Sequence, residues 1–105
     1  MTIQELNQER QELALANAKT NEVIGMTKIT NTGIRNKAEA RVYLDEEFSG
    51  LKNAEQRTAT VKSILTAEGY YLNESAILKL ERDIAENDAR IQFITTEIQY
   101  TGGAN

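Results

Sequence analysis

Acids are the side chains most available for chemistry in this chain. Asp45-Glu46-Glu47 stand in a row, and Asp83 and Asp88 lie on either side of Asn87. Paired carboxylates carry out acid-base chemistry, or hold a hard cation, when a concave site drives their pKa values apart or supplies further oxygen ligands. The usual companions are missing, because the chain contains no Cys and no His. That removes thiolate ligands and disulfides together with the commonest general base and the commonest transition-metal ligand. No phosphate loop, dinucleotide fingerprint or nucleophile elbow occurs, and Thr32-Gly33 and Gly102-Gly103 are too short to form one. We read the acids as solvated helix faces and expect neither catalysis nor a bound cofactor or metal.

The second chemically distinctive group is cationic. Lys28, Arg35, Lys37 and Arg41 follow one another closely, with Tyr43 just behind. Such a patch holds a phosphate, a nucleic acid or an acidic protein surface. With Glu39, Asp45 and Glu46 nearby, the alternative is a salt-bridged helix face. Sixteen acidic against twelve basic residues give a formal charge of -4, the wrong sign for a general binder of phosphate backbones.

The elements that must position these groups are helical. Proline is absent and Ala, Glu, Gln, Lys, Arg and Leu are abundant, so nothing forbids internal amide hydrogen bonds. Thr2 followed by Glu5 is a capping-box pattern, which starts a helix over about residues 3–25. Its apolar marks, Ile3, Leu6, Leu13 and Ile24, are thinly spread. The run Thr27-Lys28-Ile29-Thr30-Asn31-Thr32-Gly33 weakens helix through side-chain restriction, competing hydrogen bonds and backbone entropy. A break is expected over 27–33, as a loop, a kinked helix or a short strand. Residues 34–67 then form one bent helix or two, with Asn53 and Gln56 capping a restart. Gly69 supplies the left-handed residue that ends it. A turn over 68–73, capped by Asn73 or Ser75, leads to a last helix over 75–99 and a flexible tail at 101–105.

That last helix carries the clearest pattern in the chain. Ile77, Leu80, Ile84, Ile91, Ile94 and Ile98 recur at three-four spacing, with Asn87 in the remaining seam position. This is a coiled-coil seam and must lie against another helix. Glu81, Asp83, Asp88, Arg90 and Glu97 flank it and leave it dominated by acid, so the segment around Lys52, Arg57 and Lys62 is the expected partner, giving an antiparallel pairing of 53–67 with 75–98. Asn87 has two readings. The drift of a straight helix from a perfect heptad turns it outward, or it is buried against another polar group and sets register or oligomer state. The 105 residues suit a single domain whose core is small enough to favour self-association. The fold expected is all-α, an antiparallel helical hairpin or small helical bundle with coiled-coil-like packing.

The chain opens Met1-Thr2-Ile3-Gln4-Glu5-Leu6, without the basic start and apolar run of an export signal, and no stretch has the apolar length of a membrane span. A cytoplasmic protein that does not contact membranes is expected.

The stretch Ala38-Glu39-Ala40-Arg41-Val42-Tyr43-Leu44, then Gly50-Leu51-Lys52-Asn53-Ala54-Glu55-Gln56-Arg57, then a helix ending over Ile91 to Tyr100, resembles small helical accessory proteins encoded by phages and prophages. The resemblance spans residues 38–100. It implies a phage setting, and action by binding, as in small phage proteins that antagonise host defence; it supplies no catalytic residues. The function expected is a protein-protein interaction module directed at a host protein, itself a homo-oligomer. The alternatives are a nucleic-acid accessory factor in recombination or replication that uses the Lys28 to Arg41 patch, and an oligomeric nucleotide sponge with a tyrosine-lined pocket at a subunit interface.

Overall fold

The computed structural model describes residues 1–103. They form three α-helices, α1 (Ile3–Leu44), α2 (Ala54–Ala67) and α3 (Tyr70–Gly103), with a single 3-10 turn at Glu46–Phe48 and no strand among the described residues. The protein is all-α, as expected.

Helix starts and stops follow local chemistry. Glu5 N–H donates to the Thr2 hydroxyl oxygen at 3.1 Å and Thr2 N–H donates to the Glu5 carboxylate at 3.3 Å, a reciprocal capping box. Asn53 caps α2 by accepting from Gln56 N–H at 2.8 Å, while the Gln56 amide oxygen accepts from Lys52 N–H at 3.0 Å. Gly69, at φ 80°, is the left-handed hinge between α2 and α3. Helix resumes at Tyr70, so no turn occupies 70–73, and Asn73 and Ser75 lie inside α3 rather than capping it. Residues 101–103 complete its last turn, which corrects the expected tail there; residues 104 and 105 lie outside the described residues. The chain break of this region falls at 45–53, not at 27–33, and 34–67 is divided between two helices.

Contacts group the chain into two compact units. In the first, Met1–Ile24 with the C-terminal segment from Leu78, α1 and α3 run antiparallel: Glu9 meets Arg90 and Asn17 meets Asn87. On α1 the inward line is Ile3, Leu6, Arg10, Leu13, Asn17, Thr20 and Ile24, all buried or half-buried at three-four spacing. Opposite it lie Leu80, Ile84, Asn87, Ile91, Ile94 and Ile98, with Ile94 wholly excluded from solvent at 0 %. The seam therefore rests on the N-terminal half of α1, correcting the expected pairing with 53–67. The physical reason is hidden polarity: α1 presents Arg10, Asn17 and Thr20 at seam positions, so its apolar stripe looks broken although its geometry is regular.

The second unit, Gly25–Ile77, holds the rest of α1, α2 and the first two turns of α3. Its centre is Ala38, Leu65 and Tyr70, with Ile34, Val61 and Ile64 packed around them. Here α1 remains helical through the threonine-rich run. Each such residue costs a few tenths to about 1 kcal/mol of helix propensity relative to Ala, and tertiary contacts offset it. Asn31, only 5 % exposed, donates to the Tyr70 carbonyl at 3.0 Å and accepts from the Asn73 amide at 2.8 Å. The Thr32 hydroxyl donates back to the Lys28 carbonyl at 3.0 Å within the helix.

Candidate functional site

Polar contacts in the first unit are structural. Asn87 points inward, against the reading that helix drift turns it out: its amide donates to the Asn17 side-chain oxygen at 2.9 Å, and the Asn17 amide donates to Asp88 at 2.9 Å. The carboxylate Asp88, which sequence offered for acid-base work, thus closes a hydrogen-bonded polar layer. Less than one turn beyond Asn87, Arg90 makes a two-pronged bond to Glu9 at 2.7 and 3.1 Å. That bond holds the Glu9 carboxyl below its usual range and raises the Arg90 guanidinium, partial burial opposing both. The Arg90 guanidinium also lies 5.2 Å from the centre of the Phe93 ring.

Of the run Asp45-Glu46-Glu47, Glu47 accepts from Arg41 at 3.1 Å. Among the described residues no group of three or more His, Cys, Asp or Glu side chains gathers as a metal would require.

The cations of the second unit are not one patch. Successive helical residues turn by about 100°, so Arg35 and Lys37 face nearly opposite ways, while Lys37 and Arg41 share a side. The structure accordingly splits them between two grooves that run between α1 and α2. The first groove, about 450 Å³, is lined by Arg35, Glu39, Tyr43, Thr58, Val61, Lys62, Leu65 and Tyr71. Arg35 stacks on Tyr70 at 5.2 Å and Arg57 on Tyr43 at 5.5 Å, while Tyr70 and Tyr71 meet edge to face at 5.2 Å and 87°. The Tyr70 hydroxyl bonds to Glu74, which together with burial raises its pKa and keeps it a donor. Tyr43 and Tyr71 keep 57 % and 39 % of their surface exposed.

The second groove, also about 450 Å³, is lined by Ile29, Thr30, Gly33, Ile34, Lys37, Ala38, Arg41, Ile64 and Glu68. Arg41 is engaged there, with Glu47 and over the Phe48 ring at 5.3 Å. Lys28, the fourth cation, lines neither groove. The seam residues divide as well, Ile77 being buried in the second unit and Leu80 to Ile98 belonging to the first.

Sequence reasoning missed Tyr71, Lys62 and Val61 as neighbours of Arg35 and Tyr43. Only the antiparallel return of α2 and the turn at Gly69 into α3 bring them together, and no spacing within the chain signals that.

The fold and its grooves define a class, an all-α protein of antiparallel paired helices with open clefts between two of them. Comparison with protein-family models, with curated proteins and with solved structures finds no match. No helix among the described residues is long and apolar enough to cross a membrane.

Proposed function

We propose that this chain is a binding protein that acts through protein-protein contact, and that its partner docks in the groove containing Arg35, Tyr43, Lys62 and Tyr71. The observation that carries the reading is the chemistry of that groove. Partly exposed tyrosines and an arginine surround an apolar floor of Val61 and Leu65, the residue types that concentrate binding energy at protein interfaces. Two aromatic side chains present large area at small cost in conformational entropy. The resemblance of residues 38–100 to small phage accessory proteins supplies the setting, antagonism of a host defence protein.

Charge weighs against nucleic acid as the first choice. Gly25–Ile77 holds seven bases and seven acids, so it is neutral, while the remainder holds five bases and nine acids and carries the whole charge of -4. Glu39 in the groove would also repel phosphate. One feature favours a second reading: arginine beside tyrosine is also the pairing that stacks a nucleobase, whether in a strand or in a free nucleotide.

A photo-crosslinking amino acid placed at Tyr71 in producing host cells tests this. The expected result is an adduct with a different protein that disappears in the Arg35→Glu variant and is absent when the probe stands at Gln11. An adduct with nucleic acid, or none with another protein, overturns the proposal.

A further inference from the structure

The two buried asparagines of α1 are met in the same way. In the first unit the Asn87 amide donates to the Asn17 oxygen at 2.9 Å, and the Asn17 amide donates onward to Asp88. In the second the Asn73 amide donates to the Asn31 oxygen at 2.8 Å, and the Asn31 amide donates onward to the Tyr70 carbonyl at 3.0 Å. Asn17 and Asn31 are 8 % and 5 % exposed, while Asn73 and Asn87 are half-buried. The two layers also follow one count. From Asn17 and Asn87, seven residues forward along α1 and seven back along α3 bring Ile24 level with Leu80, and seven more reach Asn31 and Asn73.

The aliphatic residues cannot choose this alignment by themselves. On the same count Leu13 stands level with Ile91 and Leu6 with Ile98. Slipped by one heptad, Leu13 meets Ile84, Leu6 meets Ile91 and Ile3 meets Ile94, so the seam stays apolar. The asparagines do not survive that slip. Asn17 then faces Leu80 and Asn73 faces Ile24, and in the opposite direction Asn17 faces Ile94, Asn87 faces Ile24 and Asn31 faces Leu80. Every such placement leaves a buried amide without a partner, which low dielectric makes costly.

We infer that the two layers are a register lock: Asn17 with Asn87, and Asn31 with Asn73, select one antiparallel alignment of α1 and α3 among those the aliphatic seam accepts. The groove of Arg35 and Tyr71 inherits the choice, since a slip of one heptad carries Tyr71 about 10 Å along α1. The lock goes beyond the binding reading above and does not depend on it.

Pulsed electron-electron double resonance reads the alignment. The chain has no Cys, so spin labels attach only where Gln4→Cys and Lys79→Cys, both at exposed positions, introduce one. With Leu80 level with Ile24, the labels stand about 30 Å apart along the helices, and a heptad slip changes this by about 10 Å. The labelled parent should give one distance. Replacing all four asparagines with Leu should add a second, displaced by about 10 Å, while circular dichroism shows helicity unchanged and the urea midpoint does not fall. Relocating the lock should relocate the helix. With Arg10→Asn, Asn17→Ile, Ile24→Asn and Asn31→Leu, the asparagines of α1 stand one heptad earlier, and the main distance should shorten by about 10 Å. In that direction α2 keeps its place on α1 and only the turn at Gly69 opens. A single parent distance in the four-leucine variant, loss of its helicity or a fall in its urea midpoint, or a relocated set that leaves the distance unchanged, overturns the inference. The measurement needs no partner protein, so its failure is distinguishable from a missing crosslink at Tyr71.

Discussion

Asn87 shows how one polar residue in an apolar seam is accommodated. Its amide reaches the oxygen of Asn17, itself 8 % exposed, and the Asn17 amide is in turn taken by Asp88. Replacing Asn87 with Leu leaves that buried oxygen without a donor, which costs about 1–3 kcal/mol. The double variant Asn17→Leu with Asn87→Leu removes both partners and should regain at least that amount. Urea denaturation of the two variants checks this, and a single variant as stable as the parent contradicts the pairing. The Glu9 and Arg90 pair makes a different prediction, one in pH. Because Glu9 binds its proton less readily folded than unfolded, the unfolded chain holds more protons between the two pKa values, and stability rises with pH across that window. The contribution is present above the unfolded carboxylate pKa and disappears as pH falls through the folded one. Glu9→Gln should therefore be less stable than the parent at neutral pH and equal to it in strong acid, as read by thermal unfolding across pH.

At the scale of elements, glycines separate what the fold requires from what it tolerates. Gly69 turns the chain between α2 and α3 at φ 80°, where a side chain costs about 1–2 kcal/mol. Gly25 lies in the interior of α1 and a Cβ there meets nothing within 4 Å, so Gly25→Ala should add about 0.5–1 kcal/mol. Opposite shifts in thermal midpoint for Gly69→Ala and Gly25→Ala are the expected outcome. Much at this scale was legible beforehand. The Thr2 and Glu5 box, the Asn53 cap and the Gly69 hinge were readable because each is made of residues within four positions of one another. The break at 27–33 was misread for the complementary reason. Thr27, Thr30, Asn31 and Thr32 are poor helix formers alone, and what holds them is Asn31 reaching Tyr70 and Asn73, some forty positions away. Two heptads separate Asn17 from Asn31 and likewise Asn73 from Asn87, a repeat visible only once each asparagine is seen with its partner.

For the whole molecule, the question is what an all-α chain does with surface that its own helices leave bare. Large apolar side chains stay exposed in both units, among them Leu15 and Tyr100 in the first and Met26 and Leu44 in the second.

The all-α class, the caps at Thr2 and Asn53, the hinge at Gly69 and the apolar seam of α3 were settled by residue type and near-neighbour spacing, because helix propensity, capping and heptad periodicity act within a few residues. The partner of that seam, the inward turn of Asn87 and the division of Arg35 from Lys37 and Arg41 were settled only in three dimensions. They depend on which faces the antiparallel chain brings together, and an interaction between residues seventy positions apart leaves no mark on the spacing of either.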